Sequence, residues 1–133
     1  KQELFAEWLE MFGGERMVLG ADVRNGKVSV NGWLEDLALS IEELIEFFKP
    51  YGLSQVICTD ITKDGMLKGP SFELYTDLQS RYEDVDFTVS GGIGSMADIE
   101  KAEELHLRKV IVGKAIYENR ITLKDIEQWL LNV

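Results

Sequence analysis

The chain has 133 residues, of which 45% are hydrophobic and 29% charged, so its size and composition are those of one ordered globular domain. Its 24 acidic and 14 basic residues give a formal net charge of −10, which opposes nonspecific binding to nucleic acids and to anionic membranes. The single cysteine excludes an internal disulfide and favours a reducing cytoplasmic location, and no apolar run approaches the ~20 residues of a membrane span.

The first predicted element is an amphipathic helix over residues 2–12, already under way where the sequence begins, which indicates a piece of a longer protein. Short apolar runs predict four strands, at residues 16–22, 55–60, 85–90 and 109–112. Asn25-Gly26 predicts a hairpin after the first strand, and Asn31-Gly32-Trp33 returns the chain. Further helices are predicted from a capping box at Ser40 and Glu43, from Pro70, from Ser95 with Asp98, and from the spacing of Ile126, Trp129, Leu130 and Val133.

The four predicted strands are nearly continuous hydrophobic runs, which is typical of strands buried on both faces of a parallel sheet. Their alternation with helices leaves two α/β folds open, a small doubly wound sheet or half of a (βα)8 TIM barrel. In the second case residues 1–133 form a single half-barrel of strands five to eight, preceded by the end of helix four, and the N-terminal half is absent. Such a half leaves two unpaired edges and an apolar concave face, which favours self-association or pairing with the missing half.

Glycines follow the third and fourth predicted strands. Gly91-Gly92 comes after residues 85–90, and Gly113-Lys114 comes after residues 109–112. Glycines let the backbone approach a ligand closely, and free N–H groups at helix starts favour an anion. In a barrel the phosphate site lies after the seventh and eighth strands, so the pair of turns favours phosphate binding. The alternative is that these glycines only permit tight strand-to-helix turns.

Polar residues follow the first two predicted strands. Asp22 at the end of the first is either a general acid or base, favoured by partial burial, or the cap of a turn. Thr59 at the end of the second either positions a substrate hydroxyl or is simply a β-favouring residue. Asp64 is more readily explained as a turn former before Gly65 than as a catalytic group.

The remaining candidate residues favour structural roles. We expect Trp33 to fold a loop onto the core rather than to cover a bound ring, and His106 to offset a helix dipole. Cys58 lies within a strand, where burial makes it inert. The sequence has no His/Cys cluster with metal-ligand spacing and no nucleotide-binding P-loop, so it predicts neither a metal nor a cofactor.

Five groups of residues, in order, resemble motifs of the isomerase family of histidine biosynthesis. They are Leu19-Gly20-Ala21-Asp22 leading to Val30-Asn31-Gly32-Trp33, then Thr59-Asp60-Ile61, Lys63-Asp64-Gly65, Ser90-Gly91-Gly92-Ile93, and Ile111-Val112-Gly113-Lys114-Ala115-Ile116-Tyr117-Glu118. The resemblance covers essentially the whole chain and implies the C-terminal half of a (βα)8 barrel. It implies a phosphorylated sugar–imidazole substrate, phosphoribosylformimino-aminoimidazole carboxamide ribotide, which the family converts to its phosphoribulosyl isomer.

The resemblance also implies roles for individual residues. The family's reaction is an Amadori rearrangement, an aldose-to-ketose shift that needs two carboxylates and no cofactor. Asp22 matches the general acid, kept protonated by a partly desolvated site, and Thr59 matches a substrate-contacting residue. Gly91, Gly92, Gly113 and Lys114 match one of two phosphate-binding ends, with Asp64 in the adjoining loop. The family's proton acceptor follows the first strand of the barrel, which this chain does not contain, so we expect little or no activity from this chain alone.

Two other functions remain open. The related cyclase of imidazole glycerol phosphate synthesis shares the strand-end aspartate and the Gly-Gly turn, but Ile93 and Thr59-Asp60-Ile61 favour the isomerase. The other is a non-catalytic half-barrel that binds a phosphate or a partner chain through its open edges.

Overall fold

The computed structural model describes residues 2–30 and 35–133, and from β4 to β6 it shows strands and helices in alternation. The helices are α1 (Gln2–Phe12), α2 (Ile41–Phe48), α3 (Phe72–Arg81), α4 (Met96–Glu104), α5 (Lys114–Tyr117) and α6 (Leu123–Leu131). The strands are β1 (Leu19–Arg24), β2 (Lys27–Val30), β3 (Glu35–Ser40), β4 (Gln55–Asp60), β5 (Asp86–Ser90) and β6 (Lys109–Val110). A 3₁₀ turn at Lys49–Tyr51 follows α2. The predicted return at Asn31-Gly32-Trp33, and with it the role of Trp33, lies outside the described residues.

The six strands form one sheet in the order β3-β2-β1-β4-β5-β6. Strands β1, β4, β5 and β6 are parallel neighbours in chain order, while β2 and β3 are antiparallel. A doubly wound sheet reverses its strand order at a switch point, and the described sheet has no such reversal. The fold is therefore an α/β fold with a mostly parallel sheet, consistent with a partial (βα)8 barrel.

Local signals of the sequence explain where several elements begin. Ser40 Oγ accepts the backbone N–H of Glu43, and the Glu43 carboxylate accepts that of Ser40, so the predicted capping box opens α2. The predicted hairpin at Asn25-Gly26 joins β1 to β2, with Arg24 opposite Lys27. Because this hairpin prolongs β1 to Arg24, the prediction that the strand ends at Asp22 is wrong by two residues.

One face of the parallel sheet carries the core. Buried side chains alternate along β1 and β4, and those of Val56, Phe87 and Val89 pack in the same apolar cluster as Ile45 and Leu78 of the helices. The prediction that the strands are buried on both faces is wrong, because helices of the described chain cover only one of them. The other face will be called the open face.

The open face is mainly polar, which corrects the prediction of an apolar concave surface. The strand registers place its residues in two rows. One row is Gly20, Ile57, Thr88 and Lys109, and the other is Asp22, Thr59 and Ser90. In a barrel this face points into the interior, and the residues at the carboxyl ends of its strands border the site.

Candidate active site

Three polar side chains lie side by side at the carboxyl ends of the parallel strands. Asp22 of β1 is in register with Thr59 of β4, and Thr59 is in register with Ser90 of β5. Adjacent strands are about 4.8 Å apart, so the row spans about 10 Å from Asp22 to Ser90. Thr59 Oγ1 donates a hydrogen bond to Ser90 Oγ at 2.9 Å, which fixes these two hydroxyls on the same face. We call these three residues the polar row.

Asp22 is exposed, contrary to the predicted partial burial. Its strand is paired with β4 on one side, whereas β2 pairs only with Val23 and Arg24 on the other. No element of the described chain therefore covers the edge beside Asp22. The partly desolvated environment that a protonated carboxylic acid needs at neutral pH is not supplied by the described residues.

A small cavity of about 70 Å³ adjoins the other end of the polar row. It is lined by residues that include Asp64, Gly65, Ser90, Gly91, Gly92, Gly113 and Lys114. The structure thus brings together the four residues predicted for the phosphate-binding end, Gly91, Gly92, Gly113 and Lys114, and Asp64 of the adjoining loop. Within residues 2–30 and 35–133, no acceptor takes the backbone N–H of Gly92, Gly113 or Lys114. Unpaired N–H groups around a cavity favour an anionic ligand.

The glycines that line this cavity differ in what surrounds their α-carbons. Gly91 and Gly92 have φ values of +94° and +100°, and a Cβ at Gly92 would lie 2.7 Å from the carbonyl oxygen of Gly69. The space beside these two α-carbons is filled by Asp60 O and the β4–α3 loop (residues 61–71), so the turn itself requires glycine at both positions, and their part in phosphate binding stays a prediction. Gly113 is different, because a Cβ there would have no atom within 4 Å. The same is true of Gly65, so at Gly65 and Gly113 the space beside the α-carbon is open to a ligand.

The β4–α3 loop is tied to the cavity by hydrogen bonds. Gly69 N–H donates to Gly92 O at 2.8 Å, and Lys114 Nζ donates to Gly65 O at 3.1 Å. At the base of the loop the buried Asp60 carboxylate accepts from the N–H and hydroxyl of Thr62 and from the hydroxyl of Ser71. The ammonium of Lys114 therefore holds the loop, and its backbone N–H remains available to a ligand.

Tyr75, a buried residue of α3, forms hydrogen bonds with the strands that carry the polar row. This role was not predicted from the sequence. The Tyr75 O–H group shares its one proton between two acceptors, Cys58 O at 2.8 Å and Ser90 O at 2.9 Å, and its oxygen accepts the Ser90 N–H at 3.4 Å. Burial is the main reason that the pKa of Tyr75 is raised well above its ordinary value. Its neutral hydroxyl thus joins β4 to β5 directly below Thr59 and Ser90. The sequence feature that could have indicated this role is a tyrosine, an aromatic residue with a polar group, on the apolar face of a predicted helix.

Other candidate residues are not part of the site. Burial, followed by the nearby carboxylates of Asp60 and Asp22, raises the pKa of Cys58 to about 12, so the thiol is protonated and inert at neutral pH. His106 lines a separate groove beside α4 and α6. No three His, Cys, Asp or Glu side chains of the described ranges lie together in a way that would hold a metal ion. No helix among them is both long and apolar enough to cross a membrane.

The sheet and its site place the chain among α/β proteins with a mostly parallel sheet, and they are consistent with the βα-barrel type, whose sites lie at the carboxyl ends of parallel strands. Comparison with known families makes this specific. The chain belongs to the histidine biosynthesis protein family, whose model matches residues 1–122. This confirms the resemblance that the sequence motifs indicated.

Curated relatives carry one description, 1-(5-phosphoribosyl)-5-((5-phosphoribosylamino)methylideneamino)imidazole-4-carboxamide isomerase. The relative from Cytophaga hutchinsonii is 46% identical over 127 residues, which cover 96% of this chain and 53% of the relative. The relative from Flavobacterium psychrophilum is 48% identical over 133 residues, which cover 98% of this chain and 54% of the relative. That from Bacteroides thetaiotaomicron is 44% identical over 128 residues, covering 96% and 54%. The chain thus spans about half the length of the curated relatives it matches.

Proposed function

We propose that this chain supplies one half of an aldose–ketose isomerase that acts on a phosphorylated sugar–imidazole in histidine biosynthesis. The observation that carries this proposal is the position of the polar row next to the anion-type cavity, at the same edge of the sheet. The description of the relatives as an isomerase of a bis-phosphoribosyl imidazole carboxamide supports the choice of reaction and substrate. We place the reaction in the cytoplasm, in keeping with a single, free cysteine.

The proposed roles follow from the geometry. The cavity at Gly92, Gly113 and Lys114 takes one phosphate of the substrate through backbone N–H groups. The sugar then lies along the polar row, where Thr59 holds a hydroxyl. Asp22 at the far end gives its proton to the ring oxygen as the ribose opens. The row of about 10 Å is long enough to keep the acid and the phosphate cavity at opposite ends of one sugar phosphate.

We further propose that residues 1–133 form strands five to eight of a (βα)8 barrel. Support comes from the unreversed order of the parallel strands, from the cavity after the last two of them, and from the coverage of about half of each relative. A whole barrel of this type has roughly 250 residues, about twice this chain. The proton acceptor opposite Asp22 then belongs to the other half of the barrel. Asp22 is exposed here because this chain does not include that half.

Phosphate binding and isomerisation place different demands on this chain. The cavity is lined by residues of this chain, so the chain by itself binds a phosphate ester. The isomerisation needs an acid and a base on opposite sides of the sugar, so the chain by itself turns over little or no substrate. The related cyclase activity has no separate observation in its favour.

The test uses the chain co-expressed with the part of the Cytophaga hutchinsonii relative that it does not match. We expect isomerase activity from the pair and not from the chain alone, and we expect Asp22→Asn to lower kcat at least 100-fold with little change in KM. Asp77→Asn, an exposed change on α3, is the matched control and should keep full activity. Turnover by the chain alone at the level of the pair, or full activity of Asp22→Asn, would overturn the proposal.

A further inference from the structure

Asn25-Gly26, at the tip of the β1–β2 hairpin, carries two groups that can react with each other and that the fold leaves accessible. Asn25 is exposed, and both residues line an open cleft of about 370 Å³. No backbone carbonyl of the described residues accepts the Gly26 N–H. A Cβ at Gly26 would have no atom within 4 Å, so nothing in the described chain crowds this nitrogen. The Gly26 nitrogen and the Asn25 carboxamide are therefore both open to water and to each other.

Two other asparagines among the described residues, Asn119 and Asn132, differ in this respect. Asn119 is also exposed and, like Asn25, has a left-handed backbone, with φ values of +57° and +52°. The nitrogen that follows it belongs to Arg120 and donates to Ala115 O at 2.9 Å. The Asn132 carboxamide donates to a carbonyl of α6 at 3.0 Å. Exposure and backbone conformation are thus common to Asn25 and Asn119, and only Asn25 is followed by a nitrogen without such a bond.

We propose that Asn25 is a site of spontaneous deamidation in the folded chain. The Gly26 nitrogen loses its proton to solvent base and forms a bond to Asn25 Cγ, after which the Cγ–Nδ2 bond breaks and ammonia leaves. A cyclic imide remains, and water opens it. Breaking the bond from the Gly26 nitrogen to Cγ gives aspartate, and breaking its bond to the backbone carbonyl carbon gives isoaspartate. The reaction consumes one water and releases one ammonia, and it requires neither an oxidant nor a cofactor.

Cations around the turn favour the negative charge that this reaction produces. Arg24 lies directly opposite Lys27 in the hairpin, and like charges in that position repel. Lys63 lines the same cleft as Asn25. A carboxylate at position 25 is adjacent to Arg24 in the chain and shares the cleft with Lys63, so it reduces the repulsion among these cations.

The two products have different effects on the hairpin. Aspartate keeps the backbone unchanged and adds a charge. Isoaspartate carries the chain through the side-chain carbon, which adds one backbone atom between residues 25 and 26. The turn then no longer brings Arg24 opposite Lys27. The hydrogen bond that Ile41 N–H donates to Gly26 O at 3.1 Å, which joins the hairpin to the first residue of α2, is lost as well.

The test is ageing of the unchanged chain at mildly alkaline pH, in buffer and in urea. Peptide mapping with electron-transfer fragmentation then assigns each modified position, separates Asn25 from Asn31 of the other Asn-Gly pair, and distinguishes aspartate from isoaspartate. In buffer we expect Asn25 to react about ten times faster than Asn119 or Asn132. Folding should leave the rate at Asn25 nearly unchanged and slow the rate at Asn119. An Asn25 that survives in buffer but reacts in urea, or equal rates at Asn25 and Asn119 in buffer, would overturn the proposal.

Two variants and the separated products complete the test. Asn25→Gln should remove the modification at this position, because glutamine has to close a larger and less favourable ring, and Asn119→Gln is the matched control that should leave it. After chromatographic separation the isoaspartyl form should melt at a lower temperature than the aspartyl form, and equal melting temperatures would contradict the loss of hairpin contacts. None of these measurements involves phosphate binding or isomerisation, so their outcome is independent of the proposed function.

Discussion

Replacing single glycines distinguishes a turn that the fold requires from a cavity that a ligand requires. At Gly92 the φ of +100° disfavours any side chain, at a cost of about 1–3 kcal/mol. An added Cβ would also lie 2.7 Å from Gly69 O, 2.9 Å from Gly69 C and 3.0 Å from the Pro70 α-carbon. The loop has to move, which breaks the Gly69 N–H···O=C Gly92 bond and costs about 1 kcal/mol more. We expect Gly92→Ala to lower the free energy of unfolding by roughly 2–4 kcal/mol.

Gly113→Ala is the matched comparison at the other turn. Its added Cβ would have no atom within 4 Å and its φ of −115° is negative, but its ψ of −96° lies outside the α and β regions that alanine prefers. We expect the free energy of unfolding to fall by about 1 kcal/mol, less than at Gly92, since no other segment has to move. The methyl group enters space that the proposed phosphate needs, so the affinity for inorganic phosphate should fall at least tenfold.

Urea denaturation measures the stability of both variants, and calorimetric titration with inorganic phosphate measures binding to the chain alone. The reasoning is refuted if Gly113→Ala is the more destabilised variant, or if it binds phosphate as tightly as the unchanged chain. The first result would mean that the space beside Gly113 is occupied, and the second that the anion lies elsewhere.

Two further predictions concern the buried groups below the polar row. Tyr75→Phe leaves the carbonyl oxygens of Cys58 and Ser90 without their hydroxyl donor, so we expect the free energy of unfolding measured with urea to fall by about 1–3 kcal/mol. The control Tyr117→Phe, at a highly exposed tyrosine, should not change it, and equal effects of the two variants would contradict the role of the buried hydroxyl. The folded pKa of Cys58 is raised from 9.0 to about 12, so its stabilising contribution is complete below pH 9 and is lost as the pH rises toward 12. Between pH 9 and pH 12, Cys58→Ala should therefore reduce the slope of the unfolding free energy against pH by the equivalent of about one proton. An unchanged slope would show that the thiol is not buried.

Sequence patterns predicted the order of the elements well because most signals were local. The capping box at Ser40, the Asn25-Gly26 hairpin and the glycines after β5 each depend on neighbouring residues, and each lies where it was expected. The short helix α5 and strand β3 were missed. A helix of four residues has too few positions to show a period, and β3 is stabilised by pairing with β2, which is not a local property.

The site was predicted in part for a different physical reason. Parallel strands end at one edge of a sheet, so residues after the strands were expected to meet, and the cavity residues do. The degree of burial of Asp22 could not be predicted, because it depends on which elements pack over the β1 edge rather than on β1 itself. The same holds for Gly91 and Gly92, whose reason became clear only when the β4–α3 loop was seen against them.

The close contact between Gly92 and the β4–α3 loop has a consequence for how this family diverges. The cavity wall and the turn that supplies its N–H groups are more than twenty residues apart in sequence, yet neither can shift without the other. An insertion or deletion in residues 61–71 would alter the shape of the anion cavity even though every glycine stayed in place. Because the contact is made by the backbone of residue 69, we expect the length of residues 61–71 to stay constant in homologous chains that keep glycine at position 92.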